Sequence, residues 1–270
     1  MHLADLFATP KPVIAPVQLA PLPGSPRFGG SLDDVVDAAL ADAKALEAGG
    51  VDALLMENMG DAPFFTTEVP AETVASYGRV MAEVRRQTDL PMGVNVLRNA
   101  ARAALALAQA FGGSFIRVNV LTEAFATDQG IIEGVAAELM RVRRLIGADR
   151  IAVFADVHVK HAAPLLQRPI RESAQDMVER GLADVLVVSG PRTGAAAVVE
   201  DVMAVRDVAD VVLGSGVTPE NAPALLGAAD GAIVASSFHA GGDLSTRVDT
   251  ERVAAFMEAV AAIRAGTAPR

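Results

Sequence analysis

Eight short apolar segments recur along this chain, and each gives way to polar or glycine-rich residues at its carboxyl end. Amphipathic stretches with helical spacing lie between them, so strand and helix signals alternate throughout. Alternation without an antiparallel block predicts a parallel sheet, and about eight units favour a closed (β/α)8 TIM barrel with outer helices over an open sheet. Chemistry in such barrels occurs at the carboxyl ends of the strands, where these polar residues gather. The predicted strands are residues 13–19, 54–58, 93–99, 115–119, 153–160, 185–190, 211–216 and 232–237.

Length and composition bound the class of protein. A chain of 270 residues, 51% of them hydrophobic, is close to the roughly 250 residues of one such barrel, so we expect a single domain over residues 1–270. No run approaches about 18 unbroken apolar residues, and the start lacks the regions of a signal peptide. A cytoplasmic protein without an integral membrane segment is expected. Zero cysteines exclude disulfides, thiolate nucleophiles and Cys-ligated metal sites.

The charge narrows the class of partner. A net charge of −10 and a pI near 4.9 argue against a nucleic-acid partner, because phosphate backbones are held by clustered Lys and Arg. Local basic groups still suit a small anion, and a small phosphorylated metabolite is the expected partner. We also expect a homo-oligomer.

Glycine and serine residues follow the seventh and eighth predicted strands, where many barrels hold a phosphate. Glycine lets the backbone approach an anion, amide N–H groups point at it, and a following helix N-terminus adds positive potential. The loop after the sixth strand adds a hydroxyl and the charge of Arg192, for which a turn with a solvated arginine is the alternative. A tight turn is likewise the alternative for the Gly-Ser-Gly sequence. The predicted phosphate-binding residues are Gly190, Thr193, Gly194, Gly214, Ser215, Gly216, Ser236 and Ser237.

The fifth predicted strand carries three side chains that are capable of chemistry. Period-two alternation places Asp156, His158 and Lys160 on one face of the strand. These groups suit an acid–base relay, a desolvated lysine for Schiff-base chemistry, or a divalent metal held by Asp156 and His158. The alternative is an Asp156–Lys160 ion pair that only fixes the strand end. No cofactor is predicted.

The same alternation points polar side chains of earlier strands into the barrel. Arg117 and Asn119 face inward on the fourth strand, Asn95 faces inward on the third, and Glu57 ends the second. Buried charged groups need partners, so we expect these residues to line the ligand site, with a structural Glu57–Arg117 ion pair as the alternative. The predicted catalytic residues are Asp156, His158, Lys160, Arg117, Asn119, Glu57 and Asn95.

Other charged residues flank the strands. Arg98 lies beyond the rim of the third strand, and Asp61 and Asp128 in the loops are further candidates for the site. A second group precedes strands and therefore belongs to the opposite rim, where turn formation and stability are the expected tasks. These residues are Asp52, Asp184 and Asp230.

Seven motifs occur in order along the chain, at residues 20–26, 56–64, 93–99, 115–120, 127–130, 156–162 and 214–221. Together they resemble the BtpA/SgcQ family, and the resemblance runs from about residue 13 to 260. It implies a TIM barrel of the ribulose-phosphate-binding type. One family member is associated with photosystem I accumulation in cyanobacteria and another comes from a sugar-utilisation operon. The resemblance implies no established reaction.

Two positions depart from the family pattern. The family usually has His where this chain has Gln18, which weakens any claim that a strand-one His is needed for catalysis. It usually has Lys where this chain has His239, near the predicted phosphate site. We expect a protonated His239 to replace that cation in part.

The leading hypothesis is a cytoplasmic enzyme that acts on a small phosphorylated sugar or related metabolite by isomerisation, epimerisation or aldol-type cleavage. Asp156 and His158 would transfer protons, while Lys160, Arg117 and Asn119 stabilise an enediolate oxyanion. One alternative is a non-catalytic assembly or stability factor for a membrane complex such as photosystem I. A regulator that binds a phosphorylated metabolite without turnover is another.

Overall fold

The computed structural model describes residues 1–190, 192 and 194–266, and eight of its strands close into a parallel barrel. Around the barrel the order is β1-β11-β10-β9-β7-β4-β3-β2, and β2 pairs back to β1. The predicted closed barrel with outer helices is confirmed. In chain order the strands are β1 (Val13–Gln18), β2 (Ala53–Glu57), β3 (Met92–Asn95), β4 (Phe115–Val118), β5 (Ala124–Thr127), β6 (Gly130–Glu133), β7 (Ala152–Val157), β8 (Ala162–Pro164), β9 (Val185–Val188), β10 (Val211–Leu213) and β11 (Gly231–Ile233).

Helices follow most barrel strands and pack outside them. The longest begin as their sequences predict: Ser31 caps α2 by accepting a hydrogen bond from the Asp34 N–H at 3.1 Å. Among the helices of the described residues, none combines the length and apolarity that a membrane crossing needs. The helices are α1 (Leu3–Leu6), α2 (Leu32–Ala48), α3 (Ala71–Gln87), α4 (Ala101–Ala110), α5 (Ala136–Leu145), α6 (Ile170–Glu179), α7 (Val199–Val205), α8 (Ala222–Ala228) and α9 (Thr250–Ala265).

The apolar core has two parts because strand side chains alternate between the barrel interior and the helices. Inside, Phe115 and Phe154 stack with ring centroids 4.5 Å apart, and Phe7, just after α1, meets Phe115 edge-on at 6.2 Å. Outside, neighbouring residues such as Ile116 and Val153 pack against the helices. Burying each large apolar side chain contributes about 1.5–3 kcal/mol to the stability of the fold. The interior phenylalanines fill the amino-terminal end of the barrel.

Aspartates join neighbouring strands at that amino-terminal rim. Each of the three precedes a strand, as predicted, and accepts a hydrogen bond from a backbone N–H in the first two residues of the adjacent strand. The bonds are Val13 N to Asp52 at 2.7 Å, Val153 N to Asp184 at 2.9 Å and Val211 N to Asp230 at 3.0 Å. Because their carboxylates hold the strands together, these residues stabilise the end of the barrel remote from the predicted site.

A small antiparallel sheet interrupts the βα repeat, which the sequence analysis did not predict. β5 and β6 form a hairpin within the loop after β4, and β8, in the loop after β7, pairs with the other edge of β5. Phe125 and Ile132 of the hairpin bury themselves against Val120 and Val159. The two long loops at the carboxyl rim are therefore one folded unit, which places the turn of the hairpin beside the barrel mouth.

Candidate active site

A polar layer lies directly above the interior phenylalanines. Arg117 on β4 and Asp156 on β7 form a two-pronged ion pair, with the closest nitrogen–oxygen distance 3.0 Å and side chains only 3% and 1% exposed. Asn119 donates to the other Asp156 oxygen at 2.5 Å. Burial acts to lower the pKa of Arg117, but the nearby carboxylates of Asp156 and Glu57 outweigh it and raise that pKa. Arg117 is therefore a fixed cation.

The inward orientation predicted for the third and fourth strands is confirmed. The Asn95 side chain donates to the Arg117 carbonyl at 3.1 Å and to Asn119 at 3.2 Å, so it links β3 to β4 beneath the site. It lines neither cavity, which corrects the expectation that it is a catalytic residue in contact with the ligand. Arg117 pairs with Asp156, and among the described residues neither Glu57–Arg117 nor Asp156–Lys160 forms the ion pair considered as an alternative. The structure thus assigns the aspartate, not the glutamate, to holding Arg117.

A cavity of about 440 Å³ opens above this layer at the carboxyl ends of β2, β3, β4 and β7. Glu57 reaches it from β2 with its side chain almost buried, and Asn119 lines its wall. The turn of the β5–β6 hairpin contributes Asp128, which lines this cavity and stays a candidate site residue. The remaining lining residues are Met59, Phe64, Leu97, Arg98, Arg117, Gln129, Lys160 and His161.

Two cations beside this cavity, Lys160 and Arg98, are chemically distinctive. Burial and the neighbouring charge of Arg117 lower the pKa of Lys160 to about 8, against the opposing effect of Glu57. Arg98 is 6% exposed and donates to the Lys160 carbonyl oxygen at 2.5 Å, which fixes the backbone of that segment. Lys160 is therefore a cation at pH 7 that loses its proton at a lower pH than an exposed lysine does.

A second, narrower cavity adjoins the first on the side of β1, β10 and β11. The predicted glycine loop after β10 lines it, together with Gln18 from the end of β1. Four residues, Glu57, Met59, Arg117 and Lys160, line both cavities and mark their junction. The predicted phosphate residues found in its lining are Gly194, Gly214, Ser215, Gly216 and Ser236.

Glycine is required in this loop by close backbone approaches. At Gly214 an added Cβ would lie 2.1 Å from Ser189 Oγ and 3.4 Å from Arg117 Nη2. Gly216 has φ +72°, and a Cβ there would lie 2.2 Å from the Ala196 backbone nitrogen. The loop therefore packs against both the polar layer and the preceding loop.

Some predicted phosphate residues have protein partners instead of lining the cavity. The Gly190 N–H donates to Ser215 Oγ at 3.3 Å, and Ser215 donates in turn to the Ala195 carbonyl at 2.8 Å. Ser237 donates to the Val217 carbonyl at 2.7 Å. Gly190 and Ser237 therefore support the loops, which corrects their predicted role as anion ligands. Thr193 lies outside the described residues.

The prediction for His158 is wrong in its geometry. β7 ends at Val157, and His158 takes φ +53°, which breaks the alternation that placed it beside Asp156. Its Nε2 lies 3.3 Å from Ser173 Oγ on α6, and Ser173 donates to Glu123 at 2.8 Å. The suggested metal pair is also not formed, because both Asp156 oxygens already accept hydrogen bonds from Arg117 and Asn119.

Two further expectations were corrected by the loop geometry. His239 is 3% exposed and its Nδ1 lies 2.8 Å from the Thr246 carbonyl. The imidazole therefore contacts the loop before α9 and does not replace a cation at the predicted phosphate site. Asp61 accepts hydrogen bonds from the Leu22 N–H at 2.7 Å and from Asn58 at 2.9 Å, which joins two loops. Both side chains therefore have protein partners that hold loops in place.

Five residues that line the wide cavity were not predicted as site residues: Met59, Phe64, Leu97, Gln129 and His161. All lie in loops beyond the strand ends, where alternation makes no prediction. Gln129 sits in the hairpin turn and Met59 in a 3₁₀ turn after β2. Their presence within the quoted family motifs was the signal that could have found them.

Comparisons with known proteins agree with this architecture. The model of the BtpA family matches residues 9–262. The Photosystem I biogenesis protein BtpA of Synechocystis is 45% identical over 97% of this chain and 92% of its own length. The putative sgc region protein SgcQ of Escherichia coli is 34% identical over 97% and 98%.

A solved structure with much lower identity shares the fold. The phosphoribosyl anthranilate isomerase of Thermus thermophilus superimposes with a TM-score of 0.56 at 15% identity, covering 93% of this chain and 99% of that one. This likeness supports the barrel architecture alone, whereas the family match spans nearly the whole sequence. The chain belongs to the BtpA family.

Proposed function

We propose that this protein is an enzyme that binds a small phosphorylated sugar or related metabolite and moves a proton beside its carbonyl group. Isomerisation, epimerisation and aldol-type cleavage all proceed through such a step. The observation that carries the proposal is the junction of the two cavities, which Glu57, Arg117 and Lys160 line together. A ligand that spans both cavities places its middle atoms against a carboxylate and two cations.

The narrow cavity suits the phosphate end of such a ligand. Gly214 and Gly216 bring backbone close to its wall, and Ser236 adds a hydroxyl where the chain enters a short 3₁₀ turn. Many (β/α)8 barrels bind phosphate with the loops that follow these two strands, and the isomerase that shares the fold is named for a phosphoribosyl compound. That likeness is one of fold alone.

The reacting groups follow from what remains available in the cavity. Among the described residues the Glu57 carboxylate has no hydrogen-bonded side-chain partner, so it is the group we assign to removing and returning the proton. Arg117 and Lys160 stabilise the enediolate oxygen that forms after the proton is removed and before it is returned. Asp156 orients Arg117 and does not transfer protons, which replaces the role expected for Asp156 and His158.

The identity of the ligand is tested first. Native mass spectrometry of the purified protein should reveal a copurifying phosphorylated compound, which is then offered back as substrate. Ser236→Asp places a carboxylate in the narrow cavity and should weaken binding at least about tenfold by charge repulsion. Ser236→Ala is the matched control and should bind within about threefold of the wild type, since it removes one neutral hydrogen bond.

The reaction is tested separately. Glu57→Gln should retain ligand affinity but lower turnover about 100-fold or more, the range that one positioned acid–base group supplies. Full turnover in this variant would remove Glu57 from the proposal. Ligand binding without turnover in the wild type would instead favour the regulator, and absence of phosphorylated ligands would favour the assembly role that the name of the Synechocystis relative suggests.

A further inference from the structure

Arg98 lies on the far side of the barrel mouth from the glycine loop. It follows β3, whereas Gly214 and Gly216 follow β10. In the closed barrel these two strands are diametrically opposed, because β9, β7 and β4 separate them on one side and β11, β1 and β2 on the other. Arg98 lines the wide cavity, the glycines line the narrow one, and Lys160 lies between them. A ligand that reaches both ends spans the mouth.

The guanidinium of Arg98 is buried with little compensation from the protein. It is 6% exposed, and its one hydrogen bond among the described residues goes to a neutral acceptor, the carbonyl oxygen of Lys160. The Arg98 Nε is buried and has no hydrogen-bond partner among the residues that the structure describes. Arg117, by contrast, is held by both oxygens of Asp156. Taking an ion out of water costs several kcal/mol unless an opposite charge and hydrogen bonds offset it.

The surrounding charges do not supply that offset. Burial lowers the pKa of Arg98 and the charge of Arg117 adds to that effect, whereas Asp156, Asp128 and Glu57 oppose it without reversing it. Asp156 is already committed to Arg117, and neither Asp128 nor Glu57 lies within ion-pair distance of Arg98 among the described residues. Lys160 adds a second cation to the same wall. Glu57 and Asp128 line the same cavity, but among the described residues neither Arg98 nor Lys160 forms an ion pair, so two cations face the cavity without a carboxylate in contact.

We propose that the substrate carries a second anionic group, a carboxylate or a second phosphate, which binds Arg98 opposite the glycine loop. This inference rests on the proposed function and narrows its substrate class to compounds with anions at both ends. A guanidinium offers parallel N–H donors that match the two oxygens of either group. Lys160 lies between the sites of the two anions and is then available to stabilise the oxygen of the reacting carbonyl.

The test compares ligands that differ only in the second anion, with binding followed by calorimetry. Glycerol 3-phosphate and 3-phosphoglycerate form one pair, and ribulose 5-phosphate and ribulose 1,5-bisphosphate form the other. The wild type should prefer the doubly anionic member of at least one pair by about tenfold or more, as a charge-assisted bidentate contact provides. The pair that shows the preference identifies the anion as carboxylate or phosphate.

Variants assign the preference to Arg98. Arg98→Met should reduce the ratio of affinities within that pair to about one, whatever its effect on Lys160 does to both members alike, and Arg98→Lys should retain part of the preference because the charge remains without the planar fork. Arg102→Met is the control, since Arg102 is an exposed partner of Glu138. Melting curves confirm that each variant is folded.

Two results separate the failure of this inference from that of the proposed function. Equal affinity within both pairs, or equal losses for all four compounds in Arg98→Met, would overturn the second anion while leaving a phosphate-binding enzyme in place. Failure of every phosphate-bearing probe, inorganic phosphate included, to bind the wild type would overturn both.

Discussion

Arg117 and Asp156 face each other across the β4–β7 pair, 3.0 Å apart at their closest atoms and almost fully buried. The pair forms the floor of the candidate site, since Arg117 lines both cavities above it. Its position means that substitutions there act on folding and on function together. Stability therefore has to be measured beside activity for every variant in this layer.

Removing one partner of this pair should destabilise the fold strongly. Asp156→Asn keeps the shape but leaves Arg117 buried without an opposite charge, so we expect a loss of about 3–5 kcal/mol in the free energy of unfolding. Urea denaturation measures it. The double variant Arg117→Met/Asp156→Leu should recover at least half of that loss, because no buried charge then remains. A double variant as unstable as the single one would show that ion pairing is not the cause.

The lowered pKa of Lys160 should appear in the pH dependence of stability. The folded-state pKa of about 8 lies below the ordinary 10.5, so the unfolded state binds more protons between these values. Stability should therefore rise as pH increases from 8 to 10.5, and the cost of the buried cation is complete below pH 8. Lys160→Met should raise the unfolding free energy at pH 7 by about 1–3 kcal/mol and remove this pH dependence. An unchanged slope would contradict the assignment.

Ligand affinity should change with pH in the opposite direction. Protonated Lys160 attracts an anionic ligand, so affinity for the copurified compound should fall as the pH rises through the pKa of about 8 and the lysine loses its proton. Calorimetry between pH 7 and 10 measures this, a range in which the phosphate itself stays dianionic. Lys160→Met should bind more weakly and with no such fall. If the affinity of Lys160→Met falls with pH as much as that of the wild type, the pH dependence of binding belongs to another group.

The close contacts of Gly214 predict a loss of stability when a methyl group is added. Gly214→Ala forces its Cβ against Ser189 and towards Arg117, so we expect it to cost about 1–3 kcal/mol and to weaken ligand binding. Gly227→Ala is the matched control, because it lies within α8 with open space around it and should stabilise the protein by about 0.5–1 kcal/mol. Equal effects of the two changes in thermal melting would refute the packing argument.

The altered position of His158 reverses the expectation for its removal. His158→Ala breaks a contact with Ser173 on α6, so it should lower the unfolding free energy by about 1 kcal/mol and leave ligand affinity within about threefold. Lys160→Met, two residues away, serves as the comparison that does affect the ligand. A tenfold loss of binding in His158→Ala would return this histidine to the site.

Period-two alternation predicted the site as far as the strands extend. Asn95, Arg117, Asn119 and Asp156 face inward because the pleat allows each only one face, and Glu57 follows the same rule at the end of β2. Beyond Val157 the prediction failed, since a left-handed φ at one residue redirects the chain. Local backbone conformation of that kind depends on tertiary contacts, which a periodic pattern does not contain.

The antiparallel sheet was missed for a related reason. The hairpin strands β5 and β6 have only four residues each, too few for a clear pattern, and β8 joins them across more than thirty residues of chain. The sequence also could not predict whether a glycine-rich loop lines a cavity or supports a neighbouring loop. Gly190 and Ser236 both lie just beyond the end of a barrel strand, and only the packing of the loops shows that Ser236 lines a cavity while the Gly190 N–H donates to Ser215.

The aspartates at the amino-terminal rim bear on how this barrel can be redesigned. Asp52, Asp184 and Asp230 each join one strand to the next at the end opposite the cavities, so the backbone framework is secured without any residue that meets a ligand. Loops at the other rim are correspondingly free to be exchanged between relatives. A chimera that keeps these three carboxylates and takes the two paired segments 120–135 and 158–169 together from the Escherichia coli relative should fold and should show that relative's ligand preference.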